Sequence, residues 1–312
     1  MNAVRMLTAW ILALLGLAGG AGGAWQSEQP FVGVTYFDRA VTAPRPLRMH
    51  VAQIDLTAPG IRFKVSPPGG AREVERQTTL EFAGTERAQL AINAHFFLPF
   101  PSEDNDAWVI GLGASEGRVF SAFEIPAQNY ALVAFAPAIN IDRNNEAAIV
   151  HYDPAFKDGT RVLEKVALWN VVAGSSQIVT RGVASVPVYR DDNHFDAELD
   201  PGGPGDYSNA KAWADVTTAR TAIGLSRDRR VLTLFTVDVR GGSEGMRLSE
   251  VADVLIRDFG VFDALNLDGG GSTTMVMEGA TGTPSIVNVS SDNAAGRAVA
   301  TSLAVFAQRR ER

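Results

Sequence analysis

Hydrophobic positions in this chain come in short runs broken by Gly, Pro or Asp. Residues 49–56 read MHVAQIDL and are followed by Pro59-Gly60, a pattern that predicts a strand and then a turn. TTLE at 78–81 has the spacing of a capping box and predicts a short helix that Gly84 closes. LAIN at 90–93 reads as a buried strand. Residues 108–113 and 117–123 read as two strands around a Gly-containing turn, and 130–137, 162–172 and 231–239 as further strands. Leu248, Val251, Ala252, Leu255 and Phe259 recur at offsets of 3, 4, 7 and 11, one face of a helix that Ser249 would start and Gly260 would stop. Residues 261–267 and 273–277 are strand-like, and 298–307 alternates as a closing strand. No internal repeat is visible. Many strands and few helices predict an α+β fold: a single domain built on a large mixed β-sheet with a few flanking helices.

The first 24 residues have a different character. Arg5 precedes an apolar run from Met6 to Leu17, and small residues fill 18–24, so the segment reads as a secretory signal peptide cleaved near Gly23 or Ala24. The run is shorter than the roughly 20 residues a membrane-spanning helix needs. The domain then occupies 25–312, with its core at about 49–307. Within it, residues 189–217 crowd seven acids around PGGPG and read as an acidic loop insertion, either a solvated surface loop or a lid.

Composition narrows the function. The 312 residues are 46% hydrophobic and 20% charged with a net charge of −7, so the chain is globular and lacks the broad basic surface that nucleic acid requires. It has no Cys, which excludes disulfides and thiolate metal sites, and its four His show no HxxxH pair. No metal and no cofactor is therefore expected. A Cys-free chain with a signal suits the periplasm or secretion.

The sharpest candidate for chemistry is NLDGGGSTTM at 266–275. Asn266 and Asp268 point to one side of a strand. Gly269, Gly270 and Gly271 follow; their amides can form an anion-binding nest, and Ser272 and Thr273 add hydroxyls. The same string could equally be a glycine-rich turn whose Asp bonds its own backbone. It lacks the Lys of a P-loop. Asp238 and Arg240 share a face at the end of an apolar strand before Gly241-Gly242. That pair reads either as a site or as an ion pair at the sheet edge. Arg220 precedes the apolar stretch TAIG, and Asn93 and His95 sit at a strand end beside Phe96 and Phe97, as a sugar-binding wall or a satisfied core pair.

Taken together, TTLEFA (78–83), AINAHFF (91–97), VVAGSSQIVTRG (171–182), TARTAIGLS (218–226), TVDVRGGSEGMRLSEVADVL (236–255), LNLDGGGSTTMV (265–276) and GRAVATSLAVF (296–306) resemble the phosphodiester glycosidase family over about residues 49–306. Two departures stand out. The family commonly has Asn-Gly-Gly-Phe-Phe where this chain has Asn93-Ala94-His95-Phe96-Phe97, and Asp-Gly-Arg where it has Asp238-Val239-Arg240; both place larger residues near the expected pocket and bear on substrate identity. The resemblance implies an exported hydrolase that cleaves the anomeric C1–O bond of a sugar-1-phosphodiester, releasing sugar and a phosphomonoester. Asp268 is then the expected nucleophile or base, and Asp238 its partner or the orienter of Arg240. Arg220, Arg240, Gly269–Gly271, Ser272 and Thr273 would cradle phosphate, while Asn93, His95 and Asn266 would line the sugar. The expected partner is a small-molecule or polysaccharide substrate, not nucleic acid. The alternatives are a non-catalytic module binding phosphorylated or anionic polysaccharide, and a metal-dependent phosphodiesterase cleaving P–O.

Overall fold

In the computed structural model, residues 23–123, 135–188, 213–289 and 293–310 are described. Residues 1–22 of the expected signal segment lie outside them, as does all but the end of the 189–217 acidic stretch. The fold is α+β and strand-dominated, with two α-helices among the described residues. The largest sheet has eight strands in the order Gln26–Phe31, Val34–Val41, Leu47–Asp55, Val231–Val237, Arg220–Ser226, Val261–Leu267, Ser176–Thr180 and Val183–Ala184. A five-stranded sheet runs Pro284–Ile286, Met275–Glu278, Leu90–Asn93, Ser302–Phe306 and Arg62–Val65. The strand pairings within both sheets are antiparallel.

Side-chain alternation sets the layers. Ile54, Ile223, Leu234 and Leu265 pack from one face of the large sheet against Ile92, Leu303 and Val65 of the five-stranded sheet. Val51, Ala222, Phe235 and Ala264 project from the opposite face onto Leu248, Val251 and Leu255 of α2 (Leu248–Phe259). On the far side, Phe82 and Ala83 of α1 (Thr79–Glu86) cover Ala304, Ala91 and Val276. The order is thus helix, sheet, sheet, helix. Central strands such as Arg220–Ser226 are buried on both faces, which is why they read as continuous apolar runs. A second five-stranded sheet, which includes Ala138–Ile141 and Asn170–Ala173, packs Ile139 and Val172 into the same inter-sheet core.

Several elements depart from expectation. Thr78 caps α1 in a capping box with Glu81, but the helix runs past Gly84 and ends at Arg87, which adopts a left-handed conformation. α2 starts one residue before Ser249, where Arg247 N–H donates to Glu250 Oε2 at 2.8 Å, and Gly260 ends it as expected. The 108–113 run is divided between Asp106–Val109 and Gly113–Ser115, with Gly111 at φ +88° between them. The 162–172 run yields only a bridge at Val162 and the strand Asn170–Ala173. Most of 130–137 lies outside the described residues.

Candidate active site

The antiparallel register carries the candidate residues to one end of the sandwich. Arg220 lies opposite Val237, Thr221 opposite Leu267, and Met49 opposite Val237. The ends of these strands meet the end of Leu90–Asn93, whose Asn93 N–H bonds Thr274 O at 3.1 Å.

Asp268 leaves the Val261–Leu267 strand at this end. Its N–H donates to Ala94 O at 3.0 Å, and its carbonyl accepts Asn93 Nδ2 at 2.6 Å. The three glycines that follow differ from one another. A Cβ on Gly269 would sit 2.8 Å from Ala219 O, so the turn passes the neighbouring backbone at a distance only glycine allows. Gly270 has φ +58° with open space around it, and its N–H is spent on Ala219 O at 2.8 Å. Ser272 and Thr273 N–H groups close the turn on Gly269 and Gly270 carbonyls. The Gly269 and Gly271 amides have no protein acceptor among the described residues. All three glycines are half-buried, at the surface of the turn.

Asn93 holds this turn. It is wholly buried, and its Oδ1 accepts Thr274 N–H at 3.0 Å and the Thr221 hydroxyl at 2.9 Å while its Nδ2 holds Asp268. It clamps the turn from behind. His95 is likewise turned inward. Its Nε2 lies 2.9 Å from Ala173 N–H and 3.1 Å from Leu112 O, and its Nδ1 lies 2.7 Å from Thr301 Oγ1. Complete burial lowers its pKa from 6.5 to about 4, only partly opposed by the Leu112 carbonyl, so the ring is neutral. The larger residues Ala94 and His95 are both wholly buried.

Arg220 spends its Nε and Nη2 donors on backbone carbonyls. It is buried, its Nε bonds Met246 O at 3.0 Å, and its Nη2 bonds the carbonyls of Trp213 and Val216. Burial lowers its pKa to about 10. It anchors the described end of the acidic insertion beside Gly269. The cation that reaches the glycine turn is Arg297, which lies in the closing GRAVATSLAVF string. It is half-buried, donates from Nη1 to Ser272 Oγ at 3.2 Å, and stacks 4.6 Å from the Phe100 ring centroid. Thr273 points inward, its hydroxyl 3.4 Å from Thr221 Oγ1. Arg240 is exposed on the loop after Asp238.

Asp238 is fully buried beneath the turn. Its Oδ1 accepts Asn288 Nδ2 at 3.0 Å and its Oδ2 accepts Val289 N–H at 3.1 Å, so its oxygens orient the 288–289 backbone and not Arg240. Asn288 in turn donates to Thr273 O at 3.1 Å and accepts Met275 N–H at 2.8 Å. The two aspartates therefore grip one turn from two sides, Asp268 as part of it and Asp238 through Asn288. Asn266 donates to Ser175 Oγ at 2.7 Å, and its buried Oδ1 has no hydrogen-bond partner among the described residues. A buried amide oxygen left without a donor is costly unless a ligand supplies one. Sequence reading missed Arg297, Asn288 and Ser175. Only Arg297 carried a signal, as a lone cation in an otherwise apolar closing string. Among the described residues, no three metal-binding side chains lie together, and no helix is long and apolar enough to cross a membrane.

The phosphodiester glycosidase family model matches residues 86–306. N-acetylglucosamine-1-phosphodiester alpha-N-acetylglucosaminidase of Bos taurus is 28% identical over 253 residues, 79% of this chain, which spans 41% of that relative's length. Among solved structures, the zebrafish catalytic domain of that enzyme, auto-inhibited by its pro-peptide, superposes with a TM-score of 0.59 at 22% identity over 92% of this chain and 87% of that one. A Burkholderia pseudomallei protein described as exported superposes at 0.60 with 15% identity, over 94% and 98% of the two chains. Both structural likenesses concern the fold.

Proposed function

Because the chain belongs to the phosphodiester glycosidase family, we propose that it is an exported hydrolase that breaks the C1–O bond of a sugar-1-phosphodiester. The leaving group is a phosphomonoester with a pKa of about 6, so departure needs little general-acid help, unlike the alcohol of an ordinary glycoside. The reaction needs instead a hydrogen-bonding cation for the phosphate and a carboxylate for the oxocarbenium-like centre or its attacking water. The observation that carries the reading is the placement of Asp268 on a glycine turn whose hydroxyl Ser272 holds Arg297.

In this reading the Arg297 guanidinium and the Gly269 and Gly271 amides bind phosphate, with Arg240 on the adjoining exposed loop as a second cation. Asp268 is the nucleophile or base. Asp238 keeps the turn aligned from below through Asn288. The Asn266 oxygen accepts a hydrogen bond from the sugar. Residues 1–24 direct export to the periplasm or outside and are removed.

The test is a panel of nitrophenyl sugar phosphodiesters, with and without EDTA, with product identification in ¹⁸O-water. Free sugar carrying the label, with a nitrophenyl phosphomonoester, is the expected result. Sugar-1-phosphate as product would mean P–O cleavage, and binding without turnover would mean a carbohydrate-binding module. Asp268→Asn is expected to lower kcat on the order of 10³-fold or more while leaving binding in place. Near-normal turnover in that variant would overturn the assignment.

A further inference from the structure

The buried Asp238 has a neighbour that the reaction does not otherwise use. His50, on Leu47–Asp55, places Nε2 3.7 Å from Asp238 Oδ2, and its Nδ1 lies 2.6 Å from the Tyr36 hydroxyl on the adjacent Val34–Val41 strand. Tyr36 and Asp238 are buried, and the His50 side chain is 14% exposed. The chain of contacts continues from Asp238 to Asn288 and from Asn288 to Thr273 O and Met275 N, so it runs from Tyr36 to the exit of the glycine turn.

The chemistry of these contacts fixes the protons. Tyr36 keeps its proton, because burial raises its pKa and Asp38, Glu28 and Asp238 raise it further. Asp38 lies opposite His50 in the strand register, and Asp238 Oδ2 lies 3.7 Å from the ring. A neutral His50 with its proton on Nδ1 would turn the Nε2 lone pair toward the Asp238 carboxylate, which is repulsive. With the proton on Nε2, the ring offers N–H to the carboxylate, and Tyr36 O–H donates to Nδ1.

We propose that Tyr36 and His50 are positioning residues for the reaction: Tyr36 holds His50 with its proton on Nε2, His50 aims the buried Asp238 carboxylate, and Asp238 through Asn288 sets the Thr273–Met275 end of the catalytic turn. The kinetic part rests on the glycosidase reading; the proton placement does not. Neither residue touches the turn, and both lie on strands that carry none of the candidate site residues named from sequence. Without the His50 N–H, the Asp238 carboxylate would be free to turn toward other donors and release Asn288.

Two measurements on the full chain test this. In ¹⁵N NMR, the His50 signal, identified among the four histidines by its loss in His50→Gln, is expected to show a ring protonated on Nε2, with the Nε2 resonance moving in Asp238→Asn. An Nδ1–H ring in the wild type, or an unmoved resonance in Asp238→Asn, overturns the proposal whatever the enzyme does. In kinetics, His50→Leu is expected to lower kcat about 10- to 100-fold with KM little changed, since a turn displaced by a fraction of an ångström loses alignment more than binding. His50→Gln, which can still offer an N–H toward Asp238, is expected to recover most of that loss, and Tyr36→Phe to fall between. An unchanged kcat in His50→Leu overturns the positioning role. So does equal loss in the Leu and Gln variants that tracks their melting temperatures. If the wild type hydrolyses no sugar phosphodiester, the glycosidase reading fails, and the NMR result still decides the proton placement.

Discussion

Asn93→Ala is the most informative single substitution, because one buried amide makes three of the bonds that shape the turn. It removes Nδ2 from the Asp268 carbonyl at 2.6 Å and Oδ1 from Thr274 N–H at 3.0 Å and Thr221 Oγ1 at 2.9 Å. The Thr221 hydroxyl has Thr273 Oγ1 within 3.4 Å as a second partner, so two backbone groups are left unpaired in the interior. At about 1–3 kcal/mol for each orphaned buried group, the loss comes to about 4 kcal/mol. At about 2 °C per kcal/mol for a large domain, the melting temperature falls by about 8 °C. Asn93→Asp sharpens the test. It keeps the acceptor for Thr274 but sets a carboxylate oxygen against the Asp268 carbonyl, so it is expected to cost at least as much despite its nearly identical shape. Calorimetry gives the melting temperatures, and kinetics on a nitrophenyl sugar phosphodiester gives the accompanying fall in kcat. A shift below about 2 °C for Asn93→Ala would show that the turn is held by packing and not by this amide, and would refute the reasoning.

Two further predictions follow from the same geometry. His95 is neutral in the fold with a pKa of about 4, against 6.5 when exposed, so the unfolded chain takes up the proton first as pH falls. Its contribution to stability is complete above pH 6.5 and is lost as pH falls toward 4, by roughly 3 kcal/mol, and chemical denaturation across that window should show a slope that His95→Gln flattens. Gly269→Ala must displace the Ala219 backbone carbonyl 2.8 Å away, whereas Gly270→Ala meets only the strain of its positive φ, about 1–2 kcal/mol. The first should therefore lower kcat/KM more than the second; equal losses would mean the turn depends on flexibility and not on its distance from Ala219.

What the sequence determined by itself was the set of local facts. Periodicity located α2 and the Val261–Leu267 strand, capping chemistry located α1, and the glycine string marked the turn that carries Asp268, because each depends on residues adjacent in the chain. The family was legible for the same reason, since its motifs are short contiguous strings. The direction of each side chain was not legible. Asn93, His95, Arg220 and Asp238 all sit at strand ends where sequence permits either a ligand contact or an internal one. Tertiary structure turned Asn93, His95 and Asp238 into the space between the two sheets and Arg220 onto the loop carbonyls. A buried polar group must find its partners inside the protein, and those partners, from 14 residues away along the chain for His50 and Tyr36 to 206 for His95 and Thr301, come within reach only when the sheets are stacked. Arg297 reached the turn by the same route, from a closing segment 25 residues beyond Ser272. The strand register decided which groups meet, and register is set by packing across the sandwich, not by any one stretch of sequence.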